Sequence, residues 1–321
     1  MQITYILGAG ASANALPLIK NNIDSRKAGL PQELKFFVEK HTSSLLTKNE
    51  DWDYREIEGL KEVAEKCIEF GTPDLYAKYL LETGDTYTYH LLKSLISHFF
   101  KYKEEVDQCF DFRALTFLTT ISEKKKIPES IRIISWNYDS QIERAAEKLK
   151  PVNSKAFTKI NGFTCWPNMS DGYERNSGQP FLLHINGVAN MMYSERDFCQ
   201  KISHFFDFDS LENKEHLLSF AWEDETTSNK KIFTDQRLIV AKEIASKTEI
   251  LVVIGYSFPF FNRKIDQQIF SSMKSTLKKI YFQDPYIDGS QLRTQFDLSD
   301  VASLNIEHIK QVENYHIPFE L

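Results

Sequence analysis

The sequence begins MQITYILGAGAS (residues 1–12), an apolar, β-prone run that leads directly into a turn of small residues. Helix-forming residues follow at 14–19, so the stretch predicts a strand, a glycine turn and a helix. Such a unit can hold a phosphate group, because glycines let the backbone approach the ligand and the helix N-terminus presents N–H groups. A tight strand–helix turn without a ligand is the alternative interpretation, since a single GxG is a short motif.

The composition is typical of a globular protein that does not bind polyanions. The chain has 321 residues, 42% hydrophobic and 26% charged, with a formal net charge of −6, which fits one large or two ordinary domains. Direct binding of nucleic acid is therefore not expected. No apolar run reaches the ~18 residues of a membrane span, and no signal peptide precedes the first strand. We expect a cytoplasmic protein without membrane contact.

The cysteines predict neither disulfides nor a metal site. Cys67, Cys109, Cys165 and Cys199 form no CxxC pair, so a structural zinc site is not expected. They are typical of reduced thiols in a cytosolic protein. The histidines also lack metal-ligand spacing, and we predict no metal.

Strand-like runs alternate with helical segments along much of the chain. Further strands are predicted at 131–135, 181–187, 249–254 and 279–283. The run at 249–254 is almost continuously apolar, as in a central parallel strand that is covered on both faces. The pattern predicts an α/β fold with a doubly wound, parallel, Rossmann-like sheet.

Two insertions interrupt the predicted sheet domain. Residues 31–129 have helical periodicity and predict a large helical insertion, and residues 191–233 predict a smaller, irregular one. The sheet domain is then formed by residues 1–30, 130–190 and 234–321.

Within these segments, individual helices are predicted from caps and periodicity. Pro73 is a suitable first-turn residue for a helix at 74–82, and Gly84 follows it as a left-handed cap. Further helices are predicted at 211–222 and, capped by Thr234, at 234–247.

Every predicted strand ends in small or polar residues. Parallel sheets bind ligands outside the carboxyl ends of their strands, so these ends predict one site for a dinucleotide-sized ligand. The strand ends are GAGAS (8–12), WNYD (136–139), HING (184–187), GYS (255–257) and QDP (283–285).

With these motifs the sequence resembles the sirtuin superfamily, and more closely the sirtuin-like domains of bacterial antiphage defence systems, which hydrolyse NAD. The resemblance rests on GAGAS, WNYD, GYSFPFFNRKID (255–266) and HING, which together span the chain apart from the insertions. It implies a sirtuin-type NAD-binding domain with NAD as substrate. The four-cysteine zinc module of sirtuin deacylases is absent from the sequence, which argues against acyl-lysine deacylation.

The motifs assign ligand contacts at three strand ends. The first turn is predicted to bind the diphosphate through backbone N–H groups and a hydroxyl, from Gly8, Ala9, Gly10, Ala11 and Ser12. The adenosine-side ribose and phosphate are assigned to Gly255, Tyr256 and Ser257, as the resemblance also implies. The adenine or its ribose is assigned to Gln283 and Asp284; alternatively, Asp284 is a turn residue before Pro285.

Asn137 is the first candidate for a catalytic residue. Its carboxamide can donate and accept hydrogen bonds to the ribose or to a reacting water, although a helix cap is the alternative role. The resemblance also implies catalysis at this position. Asp139 is predicted to contact the cofactor or, more simply, to support the turn.

The third strand end departs from the resembling family. Asn186 lies where the family has its catalytic histidine, and it is retained as a cofactor-binding candidate. His184 is two residues earlier, hence on the same face of a strand, and imidazole titrates near neutral pH. His184 is therefore either the catalytic base or a packed strand histidine.

Three functions are compatible with these residues. The first is NAD glycohydrolase activity, which releases nicotinamide and ADP-ribose. The second is a non-catalytic module that binds NAD or ADP-ribose as a sensor or structural subunit. An ordinary dehydrogenase fits least, because Ala13 replaces the third glycine of GxGxxG and Asp24 follows Gly10 too soon. The resemblance further implies a partner protein, such as an ATPase, nuclease or sensor, and we expect a homo-oligomer.

Overall fold

The computed structural model describes residues 1–19, 28–45, 54–123, 126–149, 164–166, 181–192, 200–201, 216–223, 231–301 and 303–321. Contacts divide the chain into two compact units. The sheet unit consists of Met1–Asn14, Phe110–Val188 and Ala221–Leu321. The helical unit consists of Ala15–Cys109 and Ala189–Phe220.

The described strands lie in two sheets. They are β1 (Ile3–Leu7), β2 (Ile131–Ser135), β3 (Thr164–Trp166), β4 (Phe181–His184), β5 (Met191–Met192), β6 (Gln200–Lys201), β7 (Ile250–Ile254), β8 (Lys279–Gln283) and β9 (Asn305–Ile309). The described helices are α1 (Leu30–Leu45), α2 (Tyr54–Glu69), α3 (Pro73–Thr83), α4 (Thr86–Glu105), α5 (Phe112–Ile121), α6 (Gln141–Lys148), α7 (Lys231–Ala245), α8 (Arg263–Met273) and α9 (Leu292–Gln295).

The main sheet confirms the predicted fold class. Its order is β3-β4-β2-β1-β7-β8-β9, and every neighbouring pair is parallel. Without the edge strand β3, the chain passes outward from β1 through β2 to β4, then returns to the other side of β1 for β7, β8 and β9. This is the strand order of a doubly wound dinucleotide-binding fold.

The two faces of this sheet pack against different helices. Alternate residues of β1, such as Ile3 and Tyr5, lie in a buried cluster with Phe117 of α5 and Ile142 of α6. The intervening Thr4 points to the opposite face, where its hydroxyl lies 2.7 Å from the hydroxyl of Thr248, just after α7. Because both faces are covered, the central strands are apolar on both sides.

The helical unit includes α1 to α4 and the small antiparallel sheet of β5 and β6. The caps predicted for α3 are present: Pro73 is its first residue, and Gly84 ends it with a φ of 78°. In addition, the Thr72 hydroxyl accepts a hydrogen bond from the Leu75 N–H and so caps the N-terminus. The predicted helical insertion extends to residue 129, whereas α5 (Phe112–Ile121) belongs to the sheet unit.

Several elements differ from the sequence-based predictions. No helix forms at 14–19, because Pro17 interrupts it and residues 9–12 instead form a single 3₁₀ turn. The predicted helix at 211–222 lies partly outside the described residues, and its described part, 216–222, is not helical. The strand at 181–187 ends at His184, and α7 begins three residues before Thr234.

Candidate active site at the carboxyl edge of the sheet

The carboxyl ends of five strands form one continuous row. Ladder pairing places Leu7 beside both Ser135 and Ile254, Ser135 beside His184, and Ile254 beside Gln283. The segments GAGAS, WNYD, HING, GYS and QDP therefore leave the sheet at the same edge. GAGAS and GYS follow β1 and β7, between which the strand order reverses, and ligands of such sheets bind at this switch point.

The GAGAS turn contacts the GYS segment closely. A Cβ added to Gly8 would lie 2.6 Å from main-chain atoms of Gly255 and Tyr256. A Cβ added to Gly10 would lie 2.7 Å from the Cα of Gly255. A Cβ on Gly255 would lie 2.4 Å from the Cα of Gly10. These glycines thus allow two strand ends to pack together, a role in addition to the ligand contact predicted from the sequence.

Most N–H groups of the GAGAS turn already have acceptors within the protein. Gly8 donates to the Ile254 carbonyl and Gly10 to the Gly255 carbonyl, each at 3.0 Å. Ala11 donates back to the Gly8 carbonyl at 2.9 Å. Within the described residues, the Ala9 N–H makes no hydrogen bond. The turn therefore presents fewer donors for a diphosphate than the sequence motif predicts.

Arg113 also holds this turn, and the sequence motifs did not single it out. The guanidinium donates to the carbonyls of Gly10 (3.2 Å), Ala11 (3.0 Å) and Val312 (3.0 Å) and pairs with the buried Asp111. The Tyr315 hydroxyl donates to the Ala11 carbonyl at 2.7 Å. These long-range bonds leave no local pattern in the sequence.

Asn137 lies against the GAGAS turn. Its Nδ2 donates to the Gly8 carbonyl at 2.9 Å and to the Ser12 hydroxyl at 3.3 Å. The alternative role of Asn137 as a helix cap is not seen. Ser140 directly precedes α6 and its side chain makes no cap bond, and the Asn137 side chain bonds Gly8 and Ser12 instead. The side chain therefore joins two strand ends, and in the described part of the chain no donor reaches its Oδ1.

Asp139 belongs to the same polar network. Its Oδ1 accepts the Gln141 N–H at 3.2 Å, which supports the turn as predicted. Burial raises the pKa of Asp139 to about 6, although hydrogen bonds from Ser12 and Gln141 and the charge of His184 oppose the shift. A carboxyl group that titrates close to neutral pH is thus placed beside Ser12 and Asn137.

His184 is buried, and both of its ring nitrogens contact acceptors. Nε2 lies 2.7 Å from Oε1 of Glu143 in α6, and Nδ1 lies 3.2 Å from the carbonyl oxygen of Asn137. Burial lowers the pKa of His184, but the charge and hydrogen bond of Glu143 outweigh it, so the pKa is raised. The geometry favours the packed-histidine interpretation, because neither nitrogen has a lone pair free for a substrate.

Asn186 is also turned toward the protein. Its Nδ2 donates to the Trp136 carbonyl at 3.4 Å, and the side chain is buried. Gly187, with a φ of 72°, completes the turn after β4. The Nδ2 of Asn186 is thus engaged within the protein, and the cofactor contact of this residue stays a prediction.

The residues after β7 divide into a buried tyrosine and an exposed serine. Tyr256 donates to both oxygens of Asp266 (3.1 and 2.9 Å) and accepts from Asn262 at 2.8 Å. Its ring stacks on Trp136 with the centroids 5.5 Å apart. Ser257 is exposed and remains available to a ligand.

The Tyr256 hydroxyl is expected to contribute to stability. In Tyr256→Phe, the ring and its stacking remain, but Asp266 loses its donor and Asn262 its acceptor inside the core. We expect a loss of about 1–3 kcal/mol in the free energy of unfolding, measured by denaturant titration. Tyr286→Phe at an exposed site should change it by less than about 0.5 kcal/mol. Equal effects of the two substitutions would contradict a structural role of this hydroxyl.

Gln283 and Asp284 bind their own chain. The Gln283 side chain bonds main-chain groups of Gln311, Asn314 and His316. Oδ1 of Asp284 accepts the N–H groups of residues 286 and 287, both at 2.8 Å. The turn interpretation of Asp284 fits this geometry, and the adenine contact of both side chains stays a prediction.

Metal-binding clusters and membrane-spanning helices are both missing from the described part of the chain. It contains no group of three or more His, Cys, Asp or Glu side chains placed to hold a metal ion. None of the helices described here combines the length and the apolar character that crossing a bilayer requires.

No protein-family model and no curated protein matches the chain. One similar solved structure is a Sir2 complex with the inhibitor EX-527, 2′-O-acetyl-ADP-ribose and a deacetylated p53 peptide. It has 11% identity and a TM-score of 0.41, covering 97% of this chain and 89% of that one. Another is a serine-to-alanine mutant of a Sir2 homologue bound to ADP-ribose, with 11% identity, a TM-score of 0.44 and coverages of 97% and 87%. Because the identity and TM-scores are this low, the fold class is assigned from the strand order of the sheet.

Proposed function

We propose that the chain binds NAD at the carboxyl edge of its sheet and hydrolyses the nicotinamide–ribose bond, releasing nicotinamide and ADP-ribose. The observation that carries this proposal is the contact of three motifs at the switch point of a parallel sheet. Asn137 of WNYD bonds the Gly8 carbonyl, and Gly10 bonds the Gly255 carbonyl. Dinucleotides bind at this position in doubly wound folds, and the motifs resemble those of NAD-hydrolysing sirtuin-like domains.

The chemistry requires positioning more than a strong nucleophile. Nicotinamide leaves as a neutral pyridine from a cationic ground state, through an oxocarbenium-like sugar. An enzyme must therefore hold the ribose and direct a water toward the reacting carbon. The Asn137 Oδ1 is the acceptor that we assign to this task, since its Nδ2 is already fixed by Gly8 and Ser12.

The test is nicotinamide release from NAD by purified protein, alone and with cell extract that contains a trigger. Asn137→Ala should lower turnover about 100-fold or more, the size of effect seen when one positioned hydrogen-bonding group is removed from an active site. Asn305→Ala, at an exposed position at the start of β9, is the matched control and should retain turnover. Undiminished turnover in Asn137→Ala would remove this residue from the mechanism.

A second candidate is a non-catalytic module that binds NAD or ADP-ribose as a sensor or structural subunit. The observation that favours it is the occupation of both His184 nitrogens, which leaves the third strand end without a free base. Calorimetric binding of NAD without nicotinamide production at high protein concentration would support this candidate over the first.

The biological setting is proposed from the resemblance alone. NAD depletion in bacterial antiphage defence, in the cytoplasm, would require a silent state and a trigger. A partner ATPase, nuclease or sensor, together with self-association into a homo-oligomer, would supply that control.

A further inference from the structure

The ring of His184 lies between two hydrogen-bond acceptors. One is the Asn137 carbonyl oxygen, which accepts only, and the other is the Glu143 side chain. A neutral imidazole has a single N–H and can satisfy only one of them. The remaining nitrogen lone pair would then face an oxygen lone pair inside the protein, where such a conflict is costly.

The surroundings favour a positive charge on this ring. Acidic groups face it from α6 (Glu143) and from the turn before α6 (Asp139), and both interact with its charge. From β3, Cys165 lies close enough to interact with Glu143, but burial raises the pKa of its thiol well above the usual range, so it stays neutral. The main influences on the pKa of His184 are burial, which lowers it, and Glu143, the Asn137 carbonyl and Asp139, which raise it.

Glu143 is itself directed at the histidine. Oε1 makes the 2.7 Å contact, whereas Oε2 is buried and has no partner among the described residues. Its side chain is 16% exposed, and that of His184 is 2% exposed. The pair is thus largely shielded from water. The Glu143 carboxylate depends on the positive charge of the imidazolium to offset its lost hydration.

We propose that Glu143 and His184 form a proton-holding pair that positions Asn137, with the imidazolium bridging the Glu143 carboxylate and the Asn137 carbonyl oxygen. Both are positioning residues, since both His184 nitrogens and the Glu143 Oε1 are engaged within the protein. The role of Asn137 toward NAD rests on the proposed function, but the protonation state of the pair does not.

The first experiment reads the protonation state without any ligand. Imidazole ¹⁵N NMR of the full chain, with the His184 signal assigned by its loss in His184→Asn, is followed from about pH 5 to about pH 9. We expect both His184 nitrogens to be protonated at neutral pH and to lose a proton only above the ordinary imidazole value. A neutral ring at pH 7 in the wild type would overturn the proposal.

The second experiment uses two substitutions of the same residue. In Glu143→Gln, the amide can donate to Nε2 of a neutral ring, so both hydrogen bonds survive without charge. In Glu143→Ala, the ring loses its partner. We expect NAD affinity within about threefold of wild type for the glutamine variant and at least about tenfold weaker for the alanine variant. Wild-type affinity in Glu143→Ala would overturn the positioning role.

The dependence of stability on pH tests whether the charged His184–Glu143 pair stabilises the fold. Because the folded pKa of His184 is raised, its stabilisation is complete below the ordinary imidazole pKa and is lost as pH rises through the folded value. The melting temperature of the wild type should therefore fall with rising pH relative to Glu143→Gln. Parallel curves would contradict the proposal. If no variant binds NAD, the proposed function fails, whereas the NMR and melting curves still decide the state of the pair.

Discussion

Arg113→Ala is expected to destabilise the protein by about 3–5 kcal/mol, the cost of leaving a buried charge without its partner. Asp111 is fully buried and pairs with this guanidinium. The substitution also removes the donor that holds the carbonyls of Gly10, Ala11 and Val312. Chemical denaturation monitored by fluorescence measures the loss, and any NAD affinity should fall with it because the GAGAS turn is released.

The matched control is Arg263→Ala. Arg263 is exposed and lies over the ring of Phe260, with the guanidinium carbon 5.3 Å from the ring centroid. Its removal should change the free energy of unfolding by less than about 1 kcal/mol. A similar, small effect of both substitutions would show that Arg113 does not hold the turn.

Gly255→Ala is expected to cost about 3 kcal/mol or more. The residue has a φ of 57°, which disfavours any residue with a Cβ by about 1–2 kcal/mol. The added methyl group would also overlap the main chain of Gly10, at 2.4 Å, and overpacking adds about 1–3 kcal/mol. Because the obstacle is backbone, no side-chain rotation can relieve it.

Gly84→Ala separates the conformational cost of a positive φ from the cost of overlap with a neighbouring main chain. Gly84 has a φ of 78°, but nothing lies within 4 Å of the position that an added methyl group would take, so only the conformational cost of about 1 kcal/mol is expected. The difference in melting temperature between the two variants measures the close approach of the strand ends. Equal destabilisation would mean that GAGAS and GYS do not pack together in solution.

The strands that could be predicted are those with strong local patterns. The runs around Val252 and Ile133 are apolar and β-branched, and their ends carry glycine or asparagine, so strand and strand end were both visible. The strands that were missed lack such patterns. β3 is three residues long, and β9 mixes polar and apolar residues at the sheet edge.

The meeting of the motif-bearing strand ends at one edge was predictable from the sequence, but their hydrogen bonds were not. That strand ends meet at one edge follows from parallel topology, and ladder pairing confirms it. The partners of individual side chains depend on contacts distant in sequence, such as Arg113 with Gly10, 103 residues away. From the sequence alone, His184 is compatible with two roles. The contact that distinguishes them is made by Glu143 of α6, 41 residues earlier in the chain, which lies against its Nε2.

The central place of β1 in the sheet has a consequence for synthesis on the ribosome. Ile3 pairs with Ile131 on one side and with Ile250 on the other. β1 leaves the exit tunnel well before β2 and long before β7, so it waits for a large part of the polypeptide before both of its edges are covered. Such delayed pairing slows folding and exposes an apolar edge to other nascent chains, a situation in which chaperones are commonly needed.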